Sequence, residues 1–170
     1  RFRILDGNRD VLDEVDLQGV PTTIEAALGD LSTEPHKTVT SSAQSAVHAG
    51  HGGRKDEIDK DVERFFRFVD REVEARFSKP SRQPLLLVAL PENQAAFRSL
   101  SRNPMLLPVG VEVDPGALTA DQLRERAWAA VEPLYLARLA ALTDEFEAAR
   151  AAGKAVAEVG EAAREVAAGR

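Results

Sequence analysis

Apolar and charged residues alternate with a helical period along one long stretch of this chain. Between Lys55 and Phe77, apolar residues recur every three or four positions, and charged residues fill most of the positions between them. Such spacing places the apolar side chains on one face of a helix. The stretch therefore predicts an amphipathic helix that ends at Ser78-Lys79-Pro80, because proline cannot continue a helix. The predicted buried face consists of Ile58, Val62, Phe65, Phe66, Val69, Val73 and Phe77.

Three other segments have the patterns of strands. Residues 1–17 carry alternating apolar positions on either side of a tight-turn sequence, Asp6-Gly7-Asn8, and predict a β-hairpin. The run from Leu85 to Leu90 has no polar position, which predicts a central strand covered on both faces. Met105 to Val113 is a second extended segment, interrupted by a proline and a glycine.

Further helices are predicted around these strands. One short helix lies in residues 22–28, and another begins at Pro91, where proline suits the first turn. A long helix begins with a capping box at Thr119 and Gln122 and extends to Arg150. This order of elements predicts an α/β domain with a mixed sheet and a long C-terminal helix. A layered RNase H-like domain has this order, as do other mixed-sheet folds.

The patterns divide the chain into one domain and a helical tail. Residues 1–150 form the predicted domain, and residues 151–170, rich in Ala, Glu and Val, form the predicted helical lead-in to a following domain outside this sequence. The chain begins without Met and inside strand-like sequence, so we expect it to be part of a longer protein.

Composition narrows the classes of function. The 170 residues carry a net charge of -6, which argues against nucleic-acid binding over the whole surface but allows a local basic contact. The absence of cysteine excludes disulfides and thiolate chemistry and fits a reducing compartment. No apolar run is long enough to span a bilayer, and no signal-peptide pattern opens the chain. We therefore expect a cytoplasmic protein without a membrane contact.

The segment that precedes the long helix has an unusual composition. From His36 to Gly53 it contains no Asp or Glu and one Lys, and it is rich in Ser, Thr, Ala and Gly. Loops of this length are usually functional or disordered. His48 and His51 are three residues apart, but the segment offers neither acid nor cysteine as a further ligand, so we expect no metal site and no cofactor. Gly52 and Gly53 alone also fit an ordinary flexible entry to a helix.

The acids at the start of the long helix have an ordinary explanation. Asp56, Glu57, Asp59 and Asp61 could suggest the carboxylates of a nuclease, but two-metal sites draw their acids from several elements. Acids near a helix N-terminus stabilise the helix dipole without any chemistry. We expect no nuclease activity.

Three stretches of the chain carry a resemblance to a known family. They are His51–Asp59 with Glu63–Phe66, Leu85–Leu90 with Pro91–Gln94, and Trp128 with Glu132–Tyr135. Together they resemble the bacterial branch of the archaeo-eukaryotic class I peptide-chain release factor family, in its middle domain. The resemblance covers residues 1–150 and implies an RNase H-like fold, in which a mobile Gly-Gly-Gln loop leads into a long helix.

The resemblance also implies a role for the glycine pair. In release-active members of the family the loop enters the peptidyl-transferase centre, where the backbone N–H of the Gln helps to orient the attacking water. Gly52 and Gly53 match the two glycines, because residues without side chains allow the backbone to approach RNA closely. Arg54 stands where the Gln would be, and its longer cationic side chain would crowd the catalytic pocket.

The leading hypothesis is a ribosome-associated, release-factor-like protein that acts in translation termination, ribosome rescue or hibernation, without efficient peptidyl-tRNA hydrolysis. Ribosomal RNA is the expected partner, and tRNA is a candidate second one. No catalytic residue is assigned. Because cations and close backbone approach suit phosphate groups, the predicted RNA-binding residues are His51, Gly52, Gly53, Arg54 and Lys55.

Two alternatives stay open. The first is an esterase of peptidyl-tRNA that works through the backbone amide of Arg54, so whether the chain is an enzyme is undecided. The second is a protein-interaction module without an RNA partner, which docks a protein through its helical tail, Lys154–Arg170.

Overall fold

The computed structural model describes residues 1–29 and 52–169, with the backbone alone described for residues 52–55. The chain forms two compact units, Arg1–Trp128 and Ala129–Arg170. It is a mixed α/β structure, 60% helical, with two small sheets and a long C-terminal helix. The predicted α/β class is therefore confirmed. The division into a domain of residues 1–150 and a lead-in to a following domain stays a prediction.

The predicted hairpin is present at the start of the chain. Strands β1, Leu5–Gly7, and β2, Leu12–Glu14, pair antiparallel. The side-chain oxygen of Asn8 accepts hydrogen bonds from the backbone N–H of Asp10 at 2.7 Å and of Val11 at 3.1 Å. Asparagine favours turns because its short side chain can supply such an acceptor. The last residue of β1 must be glycine, since a Cβ there would lie 2.2 Å from a backbone carbonyl oxygen across the turn.

The long helix continues further than the sequence pattern predicts. A short helix, α1, spans Ile24–Leu28, and the long helix, α2, spans Gly52–Val73. A π-helical turn, Glu74–Ser78, follows α2 and leads into a single turn, α3, at Lys79–Ser81. The helical residues therefore end at Ser81, one residue after the predicted end at Ser78-Lys79-Pro80. Proline clashes with the carbonyl group four residues before it in an α-helix, and the wider π turn relieves that clash.

The second sheet is parallel. Strand β3, Leu85–Ala89, pairs with strand β4, Leu106–Glu112, and helix α4, Pro91–Leu100, connects them. In the described part of the chain β3 pairs with β4 alone, and all five of its residues are half-buried. The expectation of a central strand covered on both faces is therefore wrong. An apolar run indicates burial but does not specify how many strands lie beside it.

An irregularity in β4 is satisfied by one arginine. Leu85 of β3 pairs with Leu106 of β4, and Leu87 pairs with Gly110. Two residues of β3 therefore match four residues of β4, and the ladder of hydrogen bonds is interrupted between the two pairs. The Arg98 guanidinium donates to the carbonyl oxygens of Leu107 at 2.7 Å and Val109 at 2.8 Å. Buried carbonyl groups need such donors, because an unpaired one costs stability. Arg98 thus replaces the ladder bonds that the irregularity removes.

The core lies between α2 and α4. Its buried members are Phe65, Val69, Val73 and Phe97. Aromatic edges meet there, with the rings of Phe66 and Phe97 5.6 Å apart between centroids. The predicted apolar face of α2 is confirmed at its centre, but Ile58 is 53% exposed, so that part of the prediction is wrong. Half-buried residues packed around the core are Phe2, Ile4, Ile24, Ala27, Phe66, Phe68, Leu85, Leu87 and Leu106.

The last long helix begins at the predicted capping box. Helix α5 spans Ala120–Ala151. The backbone N–H of Thr119 donates to the side-chain oxygen of Gln122 at 3.0 Å, and the N–H of Gln122 donates to the Thr119 hydroxyl at 3.3 Å. These two bonds satisfy groups that a helix end leaves unpaired. A 3₁₀ turn, Pro115–Ala117, precedes α5, and helix α6, Val159–Ala167, follows it.

Replacing Gly110 with alanine is expected to destabilise the first unit by about 1–3 kcal/mol. A Cβ at this position would lie 2.3 Å from the side-chain oxygen of Gln94, which is buried and accepts a hydrogen bond from Arg98. Urea denaturation followed by circular dichroism measures the effect. Gly160→Ala is the control, because nothing lies within 4 Å of a Cβ there. Equal unfolding midpoints for Gly110→Ala and the unmodified chain would contradict the prediction.

Candidate functional site

Four of the five predicted RNA-binding residues lie at the start of α2. His51 lies outside the described residues. Gly52, Gly53, Arg54 and Lys55 form the first turn of α2, where the backbone is described and the side chains are not. The two glycines therefore begin the helix itself instead of ending a loop before it. The role of these five residues in RNA binding stays a prediction.

This end of α2 extends away from the core. Residues 56–60 are all exposed, and the first buried residue along the helix is Asp61. At a rise of 1.5 Å per residue, Gly52 lies about 14 Å along the axis from Asp61. The glycine-led turn is therefore followed by a helical segment whose described side chains are exposed.

The backbone gives this end a positive character. The first four N–H groups of a helix have no partner within the helix, and the helix dipole adds a partial positive charge there. The first turn of α2 contains no acid. The exposed acids Asp56, Glu57 and Asp59 follow within the next turn. The arrangement suits an anion that approaches along the helix axis, ahead of those acids.

The acids of α2 differ in their surroundings. Asp61 is buried, with 6% of its surface exposed, and it accepts a hydrogen bond from Arg64 at 3.1 Å. Asp61 therefore differs from Asp56, Glu57 and Asp59, which are exposed. Within residues 1–29 and 52–169, no group of three or more His, Asp or Glu side chains could hold a metal ion. All three histidines fall outside that part of the chain, so the expectation of no metal site stays a prediction.

A buried carboxylate ties α2 to the loop after α4. Asp70 is 7% exposed. One of its oxygens accepts a hydrogen bond from the Ser101 hydroxyl at 2.5 Å, and the other accepts one from the backbone N–H of Arg102 at 2.9 Å. Hydrogen bonds to a charged group are stronger than those between neutral groups. Asp70 therefore sets the position of α2 relative to the α4–β4 loop.

A second buried hydrogen-bonded link lies at the end of the π turn that follows α2. The side-chain amide of Asn103 donates to the Ser78 hydroxyl at 2.7 Å, and its oxygen accepts from the backbone N–H of Met105 at 3.0 Å. Asn103 and Ser78 are both buried. Together with Asp70, this link holds the C-terminal half of α2 and its π turn against the same loop. The exposed end of the helix is thus carried on a rigid base.

Sequence reasoning missed this base. Asp70 sits beside Val69 on the edge of the apolar face, where a charged residue needs a partner once it is buried. The segment Ser101-Arg102-Asn103-Pro104 supplies short hydroxyl and amide side chains of the type that bond to nearby backbone groups. Both signals are visible in the sequence. Their pairing is not, because 31 positions separate Asp70 from Ser101.

The fold and the site define a mixed α/β domain that presents a glycine-led helix end. A family model described as Bacterial archaeo-eukaryotic release factor family 3 matches residues 1–170, so the chain belongs to this family. The predicted resemblance to release factors is therefore confirmed. No curated protein and no solved structure matches the chain.

Family membership gives the chain a translation-related, release-factor-like role and is consistent with association with the ribosome. Among the residues that the structure describes, no helix is both long enough and apolar enough to cross a membrane.

Replacing Asp70 with alanine is expected to destabilise the first unit by about 1–3 kcal/mol, because the Ser101 hydroxyl and the Arg102 N–H lose a buried charged acceptor. Chemical denaturation followed by circular dichroism gives the change. Asp59→Ala is the matched control, an exposed acid on the same helix, and it should change stability by less than about 0.5 kcal/mol. Similar losses in the two variants would show that Asp70 is not an anchor.

Proposed function

We propose that this chain is a ribosome-associated, release-factor-like protein that acts in translation termination, ribosome rescue or hibernation. It contacts ribosomal RNA, and tRNA as a second candidate, through residues 51–55. Its fold is an RNase H-like variant, and it works in the cytoplasm. The single observation that supports this most strongly is the glycine-led start of α2, followed by the exposed residues 56–60, in a chain of the release factor family.

The physical role of each residue follows from its chemistry. Gly52 and Gly53 have no side chains, so the helix end can approach an RNA surface closely. The unpaired N–H groups of the first turn favour phosphate oxygens, as helix N-termini do in many anion sites. Arg54 and Lys55 supply the cations that phosphate contacts need, and His51 adds a donor.

Ribosome binding tests this proposal. The full-length protein is sedimented with ribosomes over a salt series, beside the variant Gly52→Val with Arg54→Glu. We expect the unmodified protein to pellet in a salt-sensitive manner and the variant to bind at least about tenfold more weakly, since binding to phosphates falls with each cation removed.

A matched control separates this effect from a general change of charge. The variant Gly160→Val with Arg164→Glu makes the same two substitutions in α6, and we expect it to pellet like the unmodified protein. Circular dichroism checks that all three proteins are folded. If the α2 variant pellets as well as the control at every salt concentration, residues 51–55 are not the RNA contact.

The position of Arg54 generates a further prediction about catalysis. A peptidyl-tRNA hydrolysis assay on ribosomes should show little release by the unmodified protein, because Arg54 occupies the position of the family Gln. Arg54→Gln should raise the rate of release, by at least about tenfold if crowding of the pocket is the main barrier. Arg54→Lys is the control, which keeps the cation. Fast release by the unmodified protein would instead support the esterase alternative.

One observation favours a second candidate function, docking of a protein by the helical tail. In α6, Val159 is 85% exposed and Val166 is 74% exposed. The two valines are seven residues apart, so they lie on one face of α6, where one partner can contact both. We expect the full-length chain to bind a protein in cell extracts. That binding should be lost when residues 154–170 are deleted, and it should be unchanged after treatment with RNase.

A further inference from the structure

A shallow depression lies beside the anchor of α2. It has a volume of about 290 Å³. One wall is formed by the side of α2 and its π turn, and the other by the end of α4 and the residues after it. The residues that line it are Arg67, Asp70, Arg71, Glu74, Leu100 and Arg102. Half of these six residues are arginines, in a chain with a net charge of -6.

Arg102 is the most available of the three cations. Its backbone N–H is bound by Asp70 at 2.9 Å, so the residue has a defined position. Its side chain is exposed, and in the described part of the chain it makes no ion pair. A cation that is held at its backbone and open at its guanidinium is placed to bind an external anion.

The two arginines on α2 are held by weak interactions. Arg71 lies over the ring of Phe68, with its guanidinium carbon 5.8 Å from the ring centroid. The Nε atom of Arg71 lies 3.8 Å from Oε1 of Glu72. Arg67 pairs with Glu63 at 2.7 Å, but both side chains are about half exposed. Solvent-exposed ion pairs contribute little to stability. A phosphate can therefore compete for both guanidinium groups.

The two acids in the depression already have partners. Both oxygens of Asp70 accept hydrogen bonds, from Ser101 and from the backbone of Arg102. Glu74 pairs with Lys79 at 3.1 Å. Lys79 offsets the charge of Glu74. Asp70 keeps its charge, but it is buried and both of its oxygens already accept hydrogen bonds, so Arg102 is the lining cation without an ion pair in the described part of the chain.

The chemistry of the lining selects one class of ligand. Guanidinium groups bind phosphate oxygens through paired hydrogen bonds. No aromatic residue is among the described residues that line the depression, so it offers no surface for stacking unpaired bases. Double-helical RNA is recognised largely by its shape and by contacts to its phosphates and sugars. A depression with arginines on two walls and no stacking surface suits such a backbone.

We propose that Arg67, Arg71 and Arg102 form a phosphate-binding site for double-helical RNA, separate from the glycine-led end of α2. The site rests on the proposed function only in that ribosomal RNA is its natural source. It would fix the side of α2 against one RNA helix while the exposed end reaches another surface. The buried Asp70 positions the site, since it holds Arg102 beside α2.

Direct RNA binding tests the site without ribosomes. The full-length protein is titrated against a fluorescently labelled RNA hairpin by fluorescence anisotropy over a salt series. We expect Arg71→Glu with Arg102→Glu to bind at least about tenfold more weakly. The dependence of log affinity on log salt concentration should become shallower by about two, because the protein then neutralises two fewer phosphates.

Two further variants make the test specific. Arg1→Glu with Arg126→Glu changes the net charge equally at two exposed arginines outside the depression, and we expect a much smaller loss of affinity. Arg71→Lys with Arg102→Lys keeps the charge but not the planar donors, so we expect an intermediate affinity. Thermal melting checks that each variant is folded.

Each outcome decides the proposal. Selective loss of hairpin binding in the Arg71 and Arg102 variant supports the site, whether or not the protein pellets with ribosomes. Equal losses in the two charge-reversal variants would overturn it, because binding would then follow net charge alone. Failure of the unmodified protein to bind the hairpin at low salt would also overturn it. Ribosome pelleting, measured in parallel, decides the proposed function independently.

Discussion

Burial of the apolar face of α2 against α4 is the interaction on which the rest of the structure depends. Four residues are buried in this core, Phe65, Val69, Val73 and Phe97. At about 1.5–3 kcal/mol for each buried side chain, their burial contributes roughly 6–12 kcal/mol as an upper estimate. The two hydrogen bonds of the Asp70 carboxylate together contribute about 1–3 kcal/mol. Apolar burial therefore supplies most of the stability, and the polar links select the position of the helix.

The two ends of α2 have different surroundings. Its C-terminal half is committed to the core and to the buried links at Asp70 and Ser78. Its N-terminal end is released from packing, since residues 56–60 are exposed. An α-helix is held straight by its own backbone hydrogen bonds, so the anchored half of α2 determines where the glycine-led turn lies. Such an arrangement combines a defined location with a surface that is free to meet a partner.

The arginines of the chain also differ in their surroundings. The chain is acidic overall, and two arginines on α2 pair with acids three or four residues away, Arg64 with Asp61 and Arg67 with Glu63. Arg98 is used inside the fold, where it satisfies two carbonyl groups of β4. Arg102 is different, because its position comes from a backbone bond to Asp70 and its side chain is open. The surroundings of each arginine therefore indicate which of them can bind an anion, and the net charge of the chain does not.

Much of the local structure is encoded in short patterns. The hairpin around Asn8, the helical period of α2 and the capping box at Thr119 were all predictable, because each depends on residues within a few positions of one another. The same holds for the release factor resemblance, which the family model confirms over the whole chain. The candidate contact at residues 51–55 was predictable as a motif, and the helical backbone of Gly52 and Gly53 was not.

Other features depend on contacts between distant parts of the chain. The arrangement of strands into two separate sheets and the burial of Asp70 against the loop after α4 are of this kind. So is the convergence of Arg67, Arg71 and Arg102 in one depression. The physical reason is that hydrogen bonds and burial act over a few ångströms in space, while local patterns report only neighbours along the chain. Folding brings Asp70 to a loop 31 residues away, and only there does its carboxylate find its partners.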